Sequence, residues 1–187
     1  FASQKRREES SDAMRQALAG AAAAGDEADE ARFRALLRAC LAGNRADLSH
    51  AIAADAWRAG PSAGVDVVVD ETGQAWRLVE DAGGRIDLIL DNAGVELMGD
   101  LLLAAFLLGR DPNLRMTLHV KSHPMFVSDA VAADVTAALA RLGAETGAAP
   151  RRAWSILGEA IDAGRLRLMA HPMWTSSRFF RDMPDDL

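Results

Sequence analysis

The run Ile86-Asp87-Leu88-Ile89-Leu90, the break Asp91-Asn92-Ala93-Gly94 and the apolar stretch Val95 to Leu108 together decide how this chain folds. The first piece is short and compact, and suits a buried strand. The second is polar and ends in glycine, which suits a turn. The third is long enough, and apolar enough, for a buried helix. The same alternation continues downstream. Leu114 to Val120 reads as a strand, Ala130 to Leu142 and Arg152 to Ala163 as helices, and Leu166 to Ala170 as another strand. Upstream, Val65 to Val69 is a β-branched run and Thr72 to Asp81 suits a helix. Strands alternating with helices of ten or more residues predict parallel βαβ units. The expected class is α/β with a doubly wound, mostly parallel sheet over residues 65–187.

Residues 1–60 have a different composition. Ala, Arg, Glu and Leu dominate residues 1–42, and these are good helix formers. A break falls at Gly20 to Gly25. Phe33, Leu36, Leu37, Cys40 and Leu41 then recur at helical spacing and predict one apolar face. Gly43-Asn44 suits a helix end. Asn44 to Ser49 is turn-prone, a short helix runs to about Trp57, and Gly60-Pro61-Ser62 is a loop. The chain starts at Phe1 without methionine and stops at Asp185-Asp186-Leu187. It reads as a fragment, with the α/β sheet incomplete at both ends.

Composition narrows the function. The chain has 187 residues, 21 basic against 27 acidic, for a net charge of −6. Nucleic acid is an unexpected partner for such a balance, because its sites need clustered basic surface. No run approaches the ~20 apolar residues of a membrane helix, so no membrane partner is expected. A single cysteine, Cys40, excludes an intrachain disulfide and a multi-cysteine zinc site, and a reducing, cytoplasmic setting is the expectation. Nineteen of the basic residues are arginine, and only Lys5 and Lys121 are lysine. Asparagine is as scarce, at Asn44, Asn92 and Asn113. Against that bias these few residues stand out.

In open parallel sheets, ligands bind beyond the carboxyl ends of the strands. Here those ends deliver Asp91-Asn92, then Lys121 to Asp129, then His171 to Ser177. Asp91, Asn92 and Asp129 form an all-oxygen set that suits a hard divalent ion. The competing reading is helix capping, with Asn92 capping one helix and Ser128 the next, and Asp129 in its first turn. Glu96 and Asp100 lie four apart on an apolar helix, so they share a face. They need a polar cleft, a cation or arginine partners, or else they form a solvated stripe. His119, Lys121 and His123 alternate, so they point one way. Lysine is a poor ligand for hard ions, so a metal site here is unfavoured. His119 suits a buried, hydrogen-bonded histidine, and Lys121 a partner of phosphate or carboxylate. Asp91-Asn92-Ala93-Gly94 is also close to the Asn-Asn-Ala-Gly strand end of short-chain dehydrogenases. Those need a catalytic tyrosine and an early glycine-rich turn. This chain contains no tyrosine and no such turn.

Three ordered segments resemble one family. They are Gly43-Asn44-Arg45-Ala46-Asp47-Leu48-Ser49, then Asp91-Asn92-Ala93-Gly94-Val95-Glu96-Leu97 with Asp100-Leu101, then His119-Val120-Lys121 with Pro124 to Asp129. From Phe33 onward the chain resembles the damage-control phosphatases of the protein-glutamate methyltransferase-like type. The resemblance implies hydrolysis of sugar phosphates, hexose monophosphates such as fructose phosphates, with a divalent ion (Mn²⁺, Co²⁺, Ni²⁺ or Mg²⁺). It implies Asp91, Asn92 and Asp129 as metal ligands, with Asp91 and Asp129 catalytic. Glu96 and Asp129 match substrate-contacting residues. Asn44 and Lys121 sit in matching motifs as further substrate residues, and Asp100 sits behind them. A Lys-Gly-Asp-x-Asn-Tyr-Arg segment and an Arg-Thr-x-Lys motif, both tied to phosphate in the family, do not occur among these 187 residues. The expectation is therefore the metal half of a site. Two other functions stand beside this one. An S-adenosylmethionine-dependent protein carboxyl methyltransferase would need a glycine-rich first turn, which is not seen. A non-catalytic interaction module would use the acidic residues as caps. Convergence of Asp91, Asn92 and Asp129 discriminates among them.

Overall fold

The computed structural model describes residues 29–43, 68–81, 84–185 and 187. In chain order the elements are α1 (Asp29–Gly43), α2 (Thr72–Glu80), β1 (Arg85–Ile89), α3 (Val95–Arg110), β2 (Arg115–Val120), α4 (Ala132–Ala144), α5 (Ala148–Asp162) and β3 (Leu166–Ala170). Two 3₁₀ turns follow, Pro172–Thr175 and Phe180–Asp182. The strands form one parallel sheet in the order β1-β2-β3. The α/β class and the parallel sheet expected from the alternation are present. The predicted strand Val65 to Val69 begins outside the described residues, and Val68 and Val69 form a bend. The helices predicted before Gly25 and between Asn44 and Trp57 lie outside the described residues too.

The hydrophobic core explains the arrangement. α3 carries Leu97, Met98, Leu101, Ala104, Ala105, Leu107 and Leu108, all buried. A helix apolar all round must be covered all round. α1 packs along one side of it, α5 along another, and the sheet lies beneath. Each large apolar side chain so buried stabilises the fold by roughly 1.5–3 kcal/mol. Phe33, Leu36 and Cys40 form the buried stripe of α1. Leu37 packs at its edge, and Leu41, expected on the same face, is exposed. α3 comes so close to α1 that a side chain at Gly99 would meet the Cys40 backbone at 3.3 Å. Phe33 also packs against Trp76 of α2, the rings tilted at 47° with centroids 5.3 Å apart.

The period-two alternation of strands sorts the sheet's faces. Ile86, Leu88, Met116, Leu118, Val120 and Leu166 turn into the core. Arg85, Asp87, Arg115, Thr117, His119 and Arg167 share the other face, where His119 alone is fully buried. β1 and β2 pair with a constant offset of thirty residues, Arg85 with Arg115 through Ile89 with His119. That offset carries Asp91 to a position opposite Lys121, two rungs beyond the last pair. Among the described residues no helix is long and apolar enough to cross a membrane.

Candidate active site

Backbone hydrogen bonds zip together the segments that leave β1 and β2. Leu90 N donates to His119 O (2.9 Å), Ala130 N to Asp91 O (2.9 Å), Ala93 N to Ser128 O (2.7 Å) and Lys121 N to Ala130 O (3.1 Å). Asn92 and Asp129 form an antiparallel bridge, and Lys121 and Val131 a parallel one. Gly94 then turns the chain into α3 at φ 89°, a left-handed conformation that only glycine adopts cheaply. Two loops far apart in sequence are thereby fixed side by side at the carboxyl edge of the sheet.

The side chains follow from this scaffold. Asp129 is buried, and its Oδ2 accepts from the backbone N–H groups of Met125 (2.7 Å) and Phe126 (2.8 Å). Its Oδ1 accepts from Lys121 Nζ at 2.7 Å. The same Nζ donates to Asp91 Oδ1 (2.5 Å) and Asp91 O (3.0 Å). Oδ1 of Asp91 and of Asp129 are thus bonded to one atom, which bounds their separation at about 5 Å. Asn92 is buried, and its Nδ2 donates to Asp91 Oδ2 and Glu96 Oε2, each at 3.1 Å. The three residues predicted as ligands therefore lie together, with Lys121 between the two aspartates, but Asn92 turns its Nδ2 rather than its oxygen to Asp91 and Glu96.

Electrostatics shows the strain of so many carboxylates. Burial pushes Glu96 up to about 7, and the charges of Asp100 and Asp91 add to this against the bond from Asn92. Burial likewise raises Asp100 to about 6, partly offset by a hydrogen bond from the Cys40 thiol, with Asp91 adding repulsion. Cys40 itself is pushed up by burial and by Asp100. Around Lys121, burial works against the ammonium, but its bonds to Asp129 and Asp91 outweigh this and raise its pKa. Asp129 is lowered, because Lys121 and the two backbone donors outweigh its desolvation.

The capping alternative does not describe these residues. α3 takes Gly94 as its N-cap with no side-chain bond, and α4 takes Val131. Asp134, not Asp129, accepts from Val131 N (3.0 Å). Asp129 instead holds its own loop upstream. Nor are Glu96 and Asp100 a solvated stripe, since Glu96 is half-buried and Asp100 buried. His119 and Lys121 share the side predicted by alternation but serve different partners. Trp174 Nε1 donates to His119 Nδ1 (3.3 Å), so Nε2 carries the proton toward Asp87 Oδ1 (3.1 Å). His123 is exposed beside Ser122, and His171 accepts from Met173 N at the start of a 3₁₀ turn. The third strand end covers His119 through Trp174 and meets the second through Thr175, whose hydroxyl lies 3.0 Å from that of Ser122. Asn44 lies outside the described residues. Sequence reasoning missed Cys40 as the partner of Asp100; its helical spacing with Phe33 and Leu36 signals a buried face but no such bond. It also missed the Met125 and Phe126 N–H groups, whose only signal is a short loop leading into an aspartate.

The donor set fits a hard divalent ion in kind: two carboxylates and an amide, all oxygen, on two loops held by backbone bonds. Among the described residues no group of three or more His, Cys, Asp or Glu side chains has the geometry to hold a metal, so an ion here would depend on Asn92 and on water. Lys121 pairs with Asp91 and Asp129, while Glu96 and Asp100 feel the charge of Asp91, and such a surplus of carboxylates favours added positive charge.

The family model for the damage-control phosphatase ARMT1-like domain matches residues 1–187. The chain belongs to this family. The damage-control phosphatase ARMT1 of Danio rerio is 32% identical over 173 residues, covering 82% of this chain and 38% of that protein. ARMT1 of Rattus norvegicus is 32% identical over 123 residues, covering 59% of this chain and 28% of that protein. ARMT1 of Mus musculus is 39% identical over 70 residues, covering 34% and 16%. This ARMT1-like chain therefore spans less than two-fifths of the length of these curated relatives.

Proposed function

We propose that this ARMT1-like chain supplies the metal-binding half of a phosphatase that hydrolyses sugar phosphates, hexose monophosphates such as fructose phosphates, in metabolite repair. The observation that carries the reading is the meeting of Asp91, Asn92 and Asp129 on two zipped loops at the carboxyl edge of a parallel sheet. Membership of the family supports phosphatase chemistry. A divalent ion held by Asp91, Asn92 and Asp129 would polarise a phosphate oxygen and offset charge developing at phosphorus. Asp129 anchors the site, because two backbone N–H groups fix its carboxylate. Asp91 is the accessible carboxylate, its side chain 59% exposed, and it would meet the reacting group. Glu96, whose Oε2 accepts from Asn92 Nδ2, offers a carboxyl to a sugar hydroxyl of the substrate. Asp100 lies deeper and acts through the packing of Cys40 and α3. Lys121 neutralises the aspartates. The partner is a small-molecule phosphate.

The test uses the full-length protein. After chelator treatment, phosphate release from hexose monophosphates is measured with and without added Mn²⁺, Co²⁺, Ni²⁺ or Mg²⁺. Hydrolysis restored by one of these ions is the expected result. Hydrolysis of no hexose phosphate under any ion, by folded protein, overturns the proposal.

A further inference from the structure

We propose that Lys121 is a counter-cation built into the site, and that it competes with a divalent ion for the same oxygens of Asp91 and Asp129. The inference rests on the metal reading above and goes beyond it, since that reading gives Lys121 no part in metal affinity. An ammonium has three protons to donate. Lys121 Nζ has three acceptors within 3.0 Å, Asp91 Oδ1, Asp91 O and Asp129 Oδ1. Its side chain is only 15% exposed. Asp129 Oδ2 is turned to Met125 and Phe126, so Oδ1 is the oxygen that faces Asp91, and Lys121 holds it. A metal ion would need that oxygen at ~2.0–2.6 Å. Two cations sharing one carboxylate oxygen repel. The lysine is the mobile one, on a flexible four-carbon stem beside the exposed Asp91.

The consequence is a tax on metal binding. Only molecules in which Lys121 has released the aspartates are competent, and apparent affinity falls by that fraction. Lys121 also keeps Asp91 and Asp129 from repelling each other, so the loops stay in register whichever cation holds them.

Two readouts test this on the full-length protein. The first needs no variant. Lys121 is labelled with an amine-reactive reagent while Mn²⁺ is titrated, and its peptide is quantified by mass spectrometry. Labelling of Lys121 should rise several-fold as Mn²⁺ binds. The second is calorimetric Mn²⁺ binding to wild type, Lys121→Met and Lys121→Arg. Lys121→Met should bind at least about tenfold tighter, in line with the coupling of close charge pairs. Lys121→Arg keeps the charge and should stay weaker than Lys121→Met. No Mn²⁺ binding by wild type would defeat the metal reading itself. Wild type that binds Mn²⁺ while Lys121 stays protected, or Lys121→Met that binds no tighter, would overturn the competition. Should Lys121→Met fail to fold, the labelling result decides alone.

Discussion

Replacing Asp129 by asparagine separates an anchor from an ornament. The buried carboxylate accepts from Met125 N and Phe126 N on one oxygen and from Lys121 Nζ on the other. An amide has one oxygen and one NH₂ group. If its oxygen faces the backbone, the NH₂ meets the Lys121 ammonium, donor against donor. If its oxygen faces Lys121, two backbone N–H groups lose their acceptor. A hydrogen bond to a charged group contributes about 1.5–3 kcal/mol, and a buried donor left unpaired costs about 1–3 kcal/mol. Either orientation therefore destabilises the fold, by about 2–3 kcal/mol. Urea unfolding of chelator-treated full-length protein measures this. With a slope of about 1–3 kcal/mol/M, the midpoint should fall by roughly 1 M. Asp91→Asn is the control. Asp91 is 59% exposed, and its ion pair with Lys121 should count for less than about 1 kcal/mol. An Asp129→Asn protein no less stable than Asp91→Asn would refute the claim that Asp129 fastens the loop.

Two further outcomes follow from the buried polar groups. Asp100 has its folded-state pKa raised from 3.8 to about 6. Its contribution is fully present below 3.8 and is lost as pH rises through 6. Relative to Asp100→Asn, metal-free wild type should therefore lose about 1 kcal/mol of stability between pH 5 and pH 7; parallel denaturation curves for the two proteins would argue against a buried, strained carboxylate. Trp174→Phe keeps the ring over His119 and removes its N–H donor. That should cost about 1 kcal/mol and perturb the His119 ring resonances in NMR, whereas unchanged His119 signals would show that the indole bond does not fix the tautomer.

Strand β3 was legible residue for residue, because Leu166 to Ala170 is bounded by Gly164-Arg165 on one side and His171-Pro172 on the other. Helix starts were less so. α5 begins at Ala148, before Pro150, and proline suits a first turn where its missing N–H costs nothing. α4 starts two residues after Ala130, because the chain first pairs Lys121 with Val131. Convergence of Asp91 and Asp129 was legible from parallel topology, which sends both strand ends to one edge. The hydrogen bonds that take Asn92 and Asp129 away from the helix caps were not, since Asn and Asp read alike at a helix start and elsewhere. That Lys121 would face Asp91 depends on the β1–β2 register, a tertiary quantity that no local pattern encodes. The link from Cys40 to Asp100 depends on the packing of α1 against α3 and was equally hidden.

Whether Asp91 takes part in the chemistry is decided by metal-dependent phosphate release from a hexose monophosphate by full-length Asp91→Asn, beside wild type, at saturating Mn²⁺. Circular dichroism establishes that both are folded. Asp91 is exposed, so the variant should keep its structure while losing a charged ligand and its contact with the reacting group. Turnover should fall at least about 10²-fold, the scale on which removing one stabilising group at a reacting centre is felt. Near-normal turnover in the folded variant would contradict it, and would leave Asp91 a partner of Lys121 and nothing more.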